Sequence, residues 1–296
     1  MELIEPCLKS THHSDDFHQW VPSTLENLLT ELDHIISSCE GPDPAPLFRG
    51  QANYKWLLDS SFVRNAIKRL WGLPDYQELK TTIRHSVSFH RAIASLVLLK
   101  FGTLWKPSNQ LIELERTENI DPWFEYLKNL QQYPEKYPEF DGFIRGTFLL
   151  DWSLKKEIGL YFSTYDGKGD QRRILQGHGA LWICDAVATG NTLSVKKLGE
   201  ILNLMSKPEF VEGKVANVPL VVHPPKQTLQ PRAVSQVPVY VSQMDFRYDV
   251  ADVWANMEPQ RKKRIFVKLI IHEGIKEALA QYLESKGVSE DNVYPE

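Results

Sequence analysis

The chain has only 3 cysteines in 296 residues, Cys7, Cys39 and Cys184, and no CxxC pair among them. An odd number at such wide spacing excludes a disulfide framework and a zinc cage, and leaves reduced thiols as the expected state. Long apolar runs are also missing. The longest, Ala92 to Leu99, is broken by Ser95 and falls far short of the roughly 20 residues that a bilayer span needs, so no membrane contact is expected. The opening Met1-Glu2-Leu3-Ile4-Glu5-Pro6 has acids where a secretory signal carries Lys or Arg, and the expected compartment is the cytoplasm. Neither sign of charge dominates, since 34 Lys+Arg against 38 Asp+Glu leave −4, and nothing global draws the chain to nucleic acid. Walker, Rossmann, HExxH, HxxxH and Gly-x-Ser-x-Gly patterns are all absent, and no metal is expected.

What is present is a core-forming composition, 42% apolar and 24% charged. Ser23 with Glu26 fits a capping box, and Leu25, Leu28, Leu29, Leu32, Ile35 and Ile36 recur at helical spacing. Three prolines between Gly41 and Pro46 end that helix, and a new element starts at Leu47. The periodicity predicts further helices over 61–70, 76–99, from Asp121-Pro122 onward, and over 154–162, 194–206 and 273–286. Residues 133–146 read as a loop and 166–170 as a turn. Val- and Ile-rich runs at 180–185, 219–223, 237–241 and 265–271 predict strands. The expected architecture is α+β: an arm over residues 1–21, then one domain over 22–296, its helical N-terminal half packed on a split, mostly antiparallel sheet.

Three segments could carry chemistry. In Leu47-Phe48-Arg49-Gly50-Gln51, Arg49 could hold a phosphate bidentately while Gly50 lets a ligand approach the backbone; the plainer reading is a surface arginine beside a turn glycine. In Thr147 to Ser153, Asp151 or Ser153 could cap the following helix, or Asp151, Trp152 and Ser153 could line a cleft with the indole stacking on a ligand ring. Arg232 and Gln236 lie four residues apart ahead of a strand, and alone would be two loop residues. Arg261-Lys262-Lys263-Arg264 is a solvated strand entry or a phosphate-contacting patch. Cys184 reads as core.

Together these segments resemble the FRG domain, a bacterial family named for its Phe-Arg-Gly motif, here Phe48-Arg49-Gly50 followed by Gln51. Leu58 to Arg64 is similar to the family's Leu-x-Pro-Ser-x-x-Arg, and Thr147-x-Leu149-Leu150-Asp151-Trp152-Ser153 to its Thr-Arg-Leu-Leu-Asp-Trp-Thr. Gly159-Leu160-Tyr161-Phe162, Arg232 with Gln236, and Asn292 to Pro295 continue the match, which spans roughly 47 to 296. Asp141 to Gly146 replaces the family's Gln-His-Tyr-Gly-x-Pro and Phe148 its arginine, so no histidine acid or base is assigned.

The order of motifs has a more distant likeness to the arginine-serine-glutamate ADP-ribosyltransferases. That likeness implies a cleft between two small sheets binding NAD as substrate, with Arg49, Ser153 and Gln236 in catalytic places. Gly50, Gln51, Tyr54, Arg64, Thr147, Asp151, Trp152, Tyr161 and Arg232 would then contact the nucleotide. A neutral glutamine at the place of the glutamate would stabilise less positive charge. The resemblance implies a toxin or phage-defence effector that transfers ADP-ribose to a macromolecule, protein or nucleic acid (RNA or DNA), with a neutralising antitoxin protein if the chain is toxic. The alternatives are a non-catalytic module binding a nucleotide or partner in the same cleft, and a metal-dependent nuclease using Asp151.

Overall fold

The computed structural model describes residues 19–39, 46–102, 144–166, 173–190, 192–194, 199–214, 218–223 and 231–294. The expected helix at Asp121-Pro122, most of the 133–146 loop and of the 166–170 turn, and the arm up to residue 18 lie outside them.

Helix α1 (Leu25–Ser38) buries Leu28, Leu32 and Ile35. Its cap is Thr24, one residue later than the capping box suggested: Thr24 Oγ1 accepts from the Asn27 amide at 3.1 Å. Helix α2 (Ser61–Trp71) is capped by Ser60 and closed by Gly72 in the left-handed region. The single helix expected over 76–99 is broken into a 3₁₀ turn (Tyr76–Glu78), α3 (Thr81–Arg84) and α4 (Val87–Gly102). Ser86 starts α4 afresh, its Oγ accepting from the Phe89 amide at 3.1 Å, and Arg84 ends α3. Its guanidinium turns inward to the Asp59 carboxylate at 2.6 Å and the Arg247 carbonyl at 3.2 Å, a tertiary demand that apolar spacing does not report.

Among the described residues, eight strands form one sheet in the order β1 (Gln19–Trp20), β10 (Phe266–Ile271), β6 (Gly179–Cys184), β2 (Leu47–Gln51), β3 (Leu149–Ser153), β9 (Pro238–Ser242), β8 (Leu220–His223), β7 (Thr192–Ser194). The six inner strands are antiparallel, and β1 and β7 join the two edges in parallel. Gln19 and Trp20, expected in an irregular arm, are therefore part of the sheet. β4 (Tyr165–Asp166) and β5 (Arg173–Ile174) make a separate short hairpin. The remaining helices are α5 (Lys156–Thr164), α6 (Ala186–Thr189), α7 (Gly199–Met205), α8 (Pro208–Val211), α9 (Pro231–Gln236), α10 (Val250–Arg261), α11 (Lys276–Ser285) and α12 (Glu290–Val293).

The sheet is continuous but has a seam. β2 and β3 pair at one position alone, Phe48 with Ser153, whereas β2–β6 and β3–β9 each pair over five. On the β2 side of the seam, Phe48, Leu181, Val267 and Leu269 pack under α1, α5 and α11. On the β3 side, Leu149, Leu220, Val222 and Tyr240 pack against α2, α4, α7 and α8. The opposite faces of both halves meet α10 in a shared core holding Trp152, Trp182, Trp254 and Phe266. Period-two alternation thus sends neighbouring residues of β3 into different cores. Among the described residues no helix is long and apolar enough to cross a membrane.

Candidate functional site

The seam opens into a cavity of about 420 Å³, within the range of small-molecule sites. Beyond the Phe48–Ser153 pair the ladder stops, and a side chain takes over: Arg49, on β2, donates from Nη1 to the Asp151 backbone carbonyl of β3. The same guanidinium keeps its Nε buried with no partner among the described residues. Burial lowers the Arg49 pKa to about 10, the Asp151 carboxylate opposes that shift, and Arg64 of α2 adds to it. Arg49 stays cationic at neutral pH in a place where a bound anion would relieve both penalties.

Arg232 of α9 lies on another wall, its guanidinium 4.7 Å from the Tyr294 ring centre and its Nε also buried without a partner among the described residues. Three guanidinium groups, Arg49, Arg64 and Arg232, and two carboxylates, Asp151 and Asp166, line the cavity. Trp56, 37% exposed, and Phe162 supply aromatic surface.

Arg49, Arg64, Asp151, Ser153, Arg232 and Gln236, spread over nearly two hundred positions, are thus brought to one cleft. Gly50, Gln51 and Trp152 also reach its wall, but their contacts are structural. A Cβ on Gly50 would lie 2.0 Å from the Gly159 carbonyl oxygen and 2.6 Å from the Ser163 amide nitrogen, so the glycine lets α5 rest backbone to backbone on β2. The expected ligand approach over Gly50 is occupied by that helix. Gln51 is spent on the core, accepting from Trp182 Nε1 at 2.7 Å and donating to the Leu57 carbonyl at 3.3 Å. Trp152 is buried, its ring 5.7 Å from that of Trp254.

Ser153 ends β3, two residues ahead of the Lys155 cap of α5; it does not cap that helix, and its hydroxyl is doubly engaged. It donates to the Gln236 carbonyl at 2.6 Å and accepts from the Lys155 amide at 2.9 Å. Gln236, expected in a loop, ends helix α9 and donates from Nε2 to the Val293 carbonyl at 2.7 Å. That carbonyl can only accept, which leaves the amide oxygen as the remaining polar atom of Gln236.

Three expected contacts are not on this cleft. Tyr54 turns to His178, ring centres 5.6 Å apart. Thr147 is fully buried, its carbonyl accepting from the Phe62 amide, and Tyr161 is packed against Tyr165 in the core under α5. Trp56, Phe162, Asp166 and Tyr294 were not singled out as site residues by the sequence, because their approach depends on the seam and on α9.

No family model, curated protein or solved structure matches the chain.

A buried polar cluster holds residues 58–60. Asp59 Oδ1 accepts from Arg84 and from Gln243 Nε2 at 2.8 Å, Gln243 Oε1 accepts from the Ser60 amide at 2.8 Å, and Asp249 Oδ2 accepts from the Leu58 amide at 3.1 Å. Burial lowers the Arg84 pKa but Asp59 more than offsets this. Asp249 and Asp252 are pushed up by burial and by neighbouring carboxylates. A separate cluster sets His90 Nε2 2.7 Å from the Phe210 carbonyl and Arg247 on Asp245 at 2.6 Å. His90 is thereby a core residue. Among the described residues no group of three or more His, Cys, Asp or Glu is placed to hold a metal.

Proposed function

We propose that the cleft binds NAD and that the protein is a cytoplasmic ADP-ribosyltransferase-like effector, a toxin or phage-defence component acting on a macromolecule. The observation that carries this reading is the pair of guanidinium groups of Arg49 and Arg232 on two walls of one cavity, each with a buried Nε that has no partner among the described residues. Such donors fit the oxygens of a pyrophosphate, which accept from guanidinium N–H groups in charge-assisted bonds. Trp56 and Phe162 offer faces to a nucleobase or nicotinamide ring. In the transfer, the glycosidic bond to nicotinamide breaks, nicotinamide leaves with the electron pair, and an acceptor nucleophile bonds the ribose carbon and loses its proton. Gln236 offers an amide oxygen to a ribose hydroxyl, and the cleft carboxylates Asp151 and Asp166 supply the negative charge a glutamine lacks. The exposed run Arg261 to Arg264 would face a nucleic-acid acceptor. An antitoxin protein would accompany a toxic chain.

The engaged Ser153 hydroxyl and the neutral Gln236 favour one second reading, a module that binds the nucleotide without cleaving it. Incubation of the protein with adenylate-labelled NAD and cell lysate separates the two. Transfer of label that disappears in Arg49→Ala and falls in Gln236→Ala supports the enzyme, and the labelled fraction, protein or nucleic acid, names the acceptor class. NAD binding without transfer or nicotinamide release supports the module, and absence of NAD binding overturns both.

A further inference from the structure

We propose that the segment Glu290–Tyr294 is a latch that positions Arg232 and Gln236 on the cleft wall, through the Tyr294 ring and the Val293 backbone carbonyl, making Tyr294 a positioning residue of the site. The proposal rests on the nucleotide reading of the cleft for what those two side chains do, and on geometry alone for how they are held.

Helix α9 spans six residues, too few to persist on its own hydrogen bonds. It ends against Val237, which has φ +43°, a left-handed backbone that is strained for a β-branched residue. Strain of this kind persists only where surrounding contacts over-determine it. Those contacts come from two sides. From the β3 side, Ser153 Oγ donates to the Gln236 carbonyl, the Leu154 amide to the Val237 carbonyl at 3.1 Å, and Lys155 Nζ to the Ser235 carbonyl at 2.7 Å. From the α12 side, the Val293 carbonyl takes the Gln236 amide, the Asn292 carbonyl takes the Ser235 hydroxyl, and the Tyr294 ring lies under the Arg232 guanidinium.

The latch is itself anchored. Val293 is fully buried in the core under α1, α5 and α11, and the Tyr294 ring stands edge-on to Phe162 at 6.1 Å. The segment therefore connects a fixed core to the two cleft residues that β3 alone does not orient. Arg232 otherwise has a long, free side chain, and stacking on Tyr294 removes that freedom before a ligand arrives.

The test uses the full chain with Tyr294→Leu, which removes the ring face, Tyr294→Phe, which keeps it, and Arg232→Met, which breaks the stack from the other end and leaves the Tyr294 anchor in place. Hydrogen exchange is expected to speed up about tenfold in 231–237 for the Leu and Met variants, with β9 and α11 protected as before and the Phe variant unchanged. Unchanged exchange in 231–237 in a folded Leu or Met variant overturns the latch. In titrations with NAD, Tyr294→Leu is expected to weaken binding about fivefold, the scale of one cation–π contact, and Tyr294→Phe to retain it. Faster exchange with unaltered NAD affinity overturns the positioning role. A wild-type chain that binds no NAD overturns the nucleotide reading instead, and the exchange result still decides the latch.

Discussion

Gly50→Ala separates the two roles that the Phe-Arg-Gly motif could give its glycine. If the glycine opens space for a ligand, the substitution leaves the fold intact and costs binding alone. The structure assigns that space to α5. An added Cβ would lie 2.0 Å from the Gly159 carbonyl oxygen, 2.6 Å from the Ser163 amide nitrogen and 2.8 Å from the Phe162 carbonyl carbon. All three are backbone atoms of one helix, so no rotamer change relieves the overlap, and α5 must move off β2 as a body. Gly159 makes the same close approach from the helix side, its own Cβ position lying 2.6 Å from Leu181 Cδ1. Overpacking of this kind costs about 1–3 kcal/mol where side chains can yield, and about 3 kcal/mol or more is expected here because backbone must yield. At about 2 °C per kcal/mol for a chain of this size, the melting temperature should fall by about 6 °C or more. Gly72→Ala is the control. Gly72 has φ +65° but nothing within 4 Å of an added Cβ, so its loss should be about 1 kcal/mol. Calorimetry on both variants decides the matter, and a Gly50→Ala chain that melts like the wild type while losing NAD binding would refute the packing account.

Asp252→Asn should stabilise the protein at pH 8 by about 1–2 kcal/mol and flatten the pH dependence of stability. Burial and Asp249 raise the Asp252 pKa in the folded state, so stability declines as pH rises from the ordinary carboxylate range toward the raised value. Urea midpoints at pH 5 and pH 8 with an unaltered slope would count against this. Asp245→Asn should cost about 3–5 kcal/mol, because Arg247 would remain buried without its charge partner. Burial alone would raise the Asp245 pKa, but Arg247 and His90 hold it below the ordinary range, so this stabilisation is present above that range and is lost as pH falls. A urea midpoint within error of wild type at pH 7 would sink that assignment. Trp182→Phe removes the donor to Gln51 Oε1 and should cost about 1–3 kcal/mol in denaturant melts, and no loss would show that Gln51 finds another donor.

The amino-acid order by itself settled where several of the described elements fall, though not α10 or the edge strands β1 and β7. Val- and Ile-rich runs became β6, β8, β9 and β10 within one or two residues, and α1, α2 and α11 follow their apolar spacing, because burial on one face leaves a period that a single sequence displays. It also singled out Arg49, Asp151, Ser153, Arg232 and Gln236, which the fold brings to one cleft. Local pattern did not determine that Gly50 serves helix packing, that Ser153 braces α9, or that Tyr54, Thr147 and Tyr161 lie away from the cleft. Those roles depend on what lies across the seam. The one-pair junction of β2 and β3, the inward turn of Arg84 to Asp59 and the stacking of Tyr294 on Arg232 all join residues at least 25 positions apart. Sequence periodicity reports which face of an element is dry; which partner dries it, and which polar atoms are left to bind, is decided only when the chain closes in three dimensions.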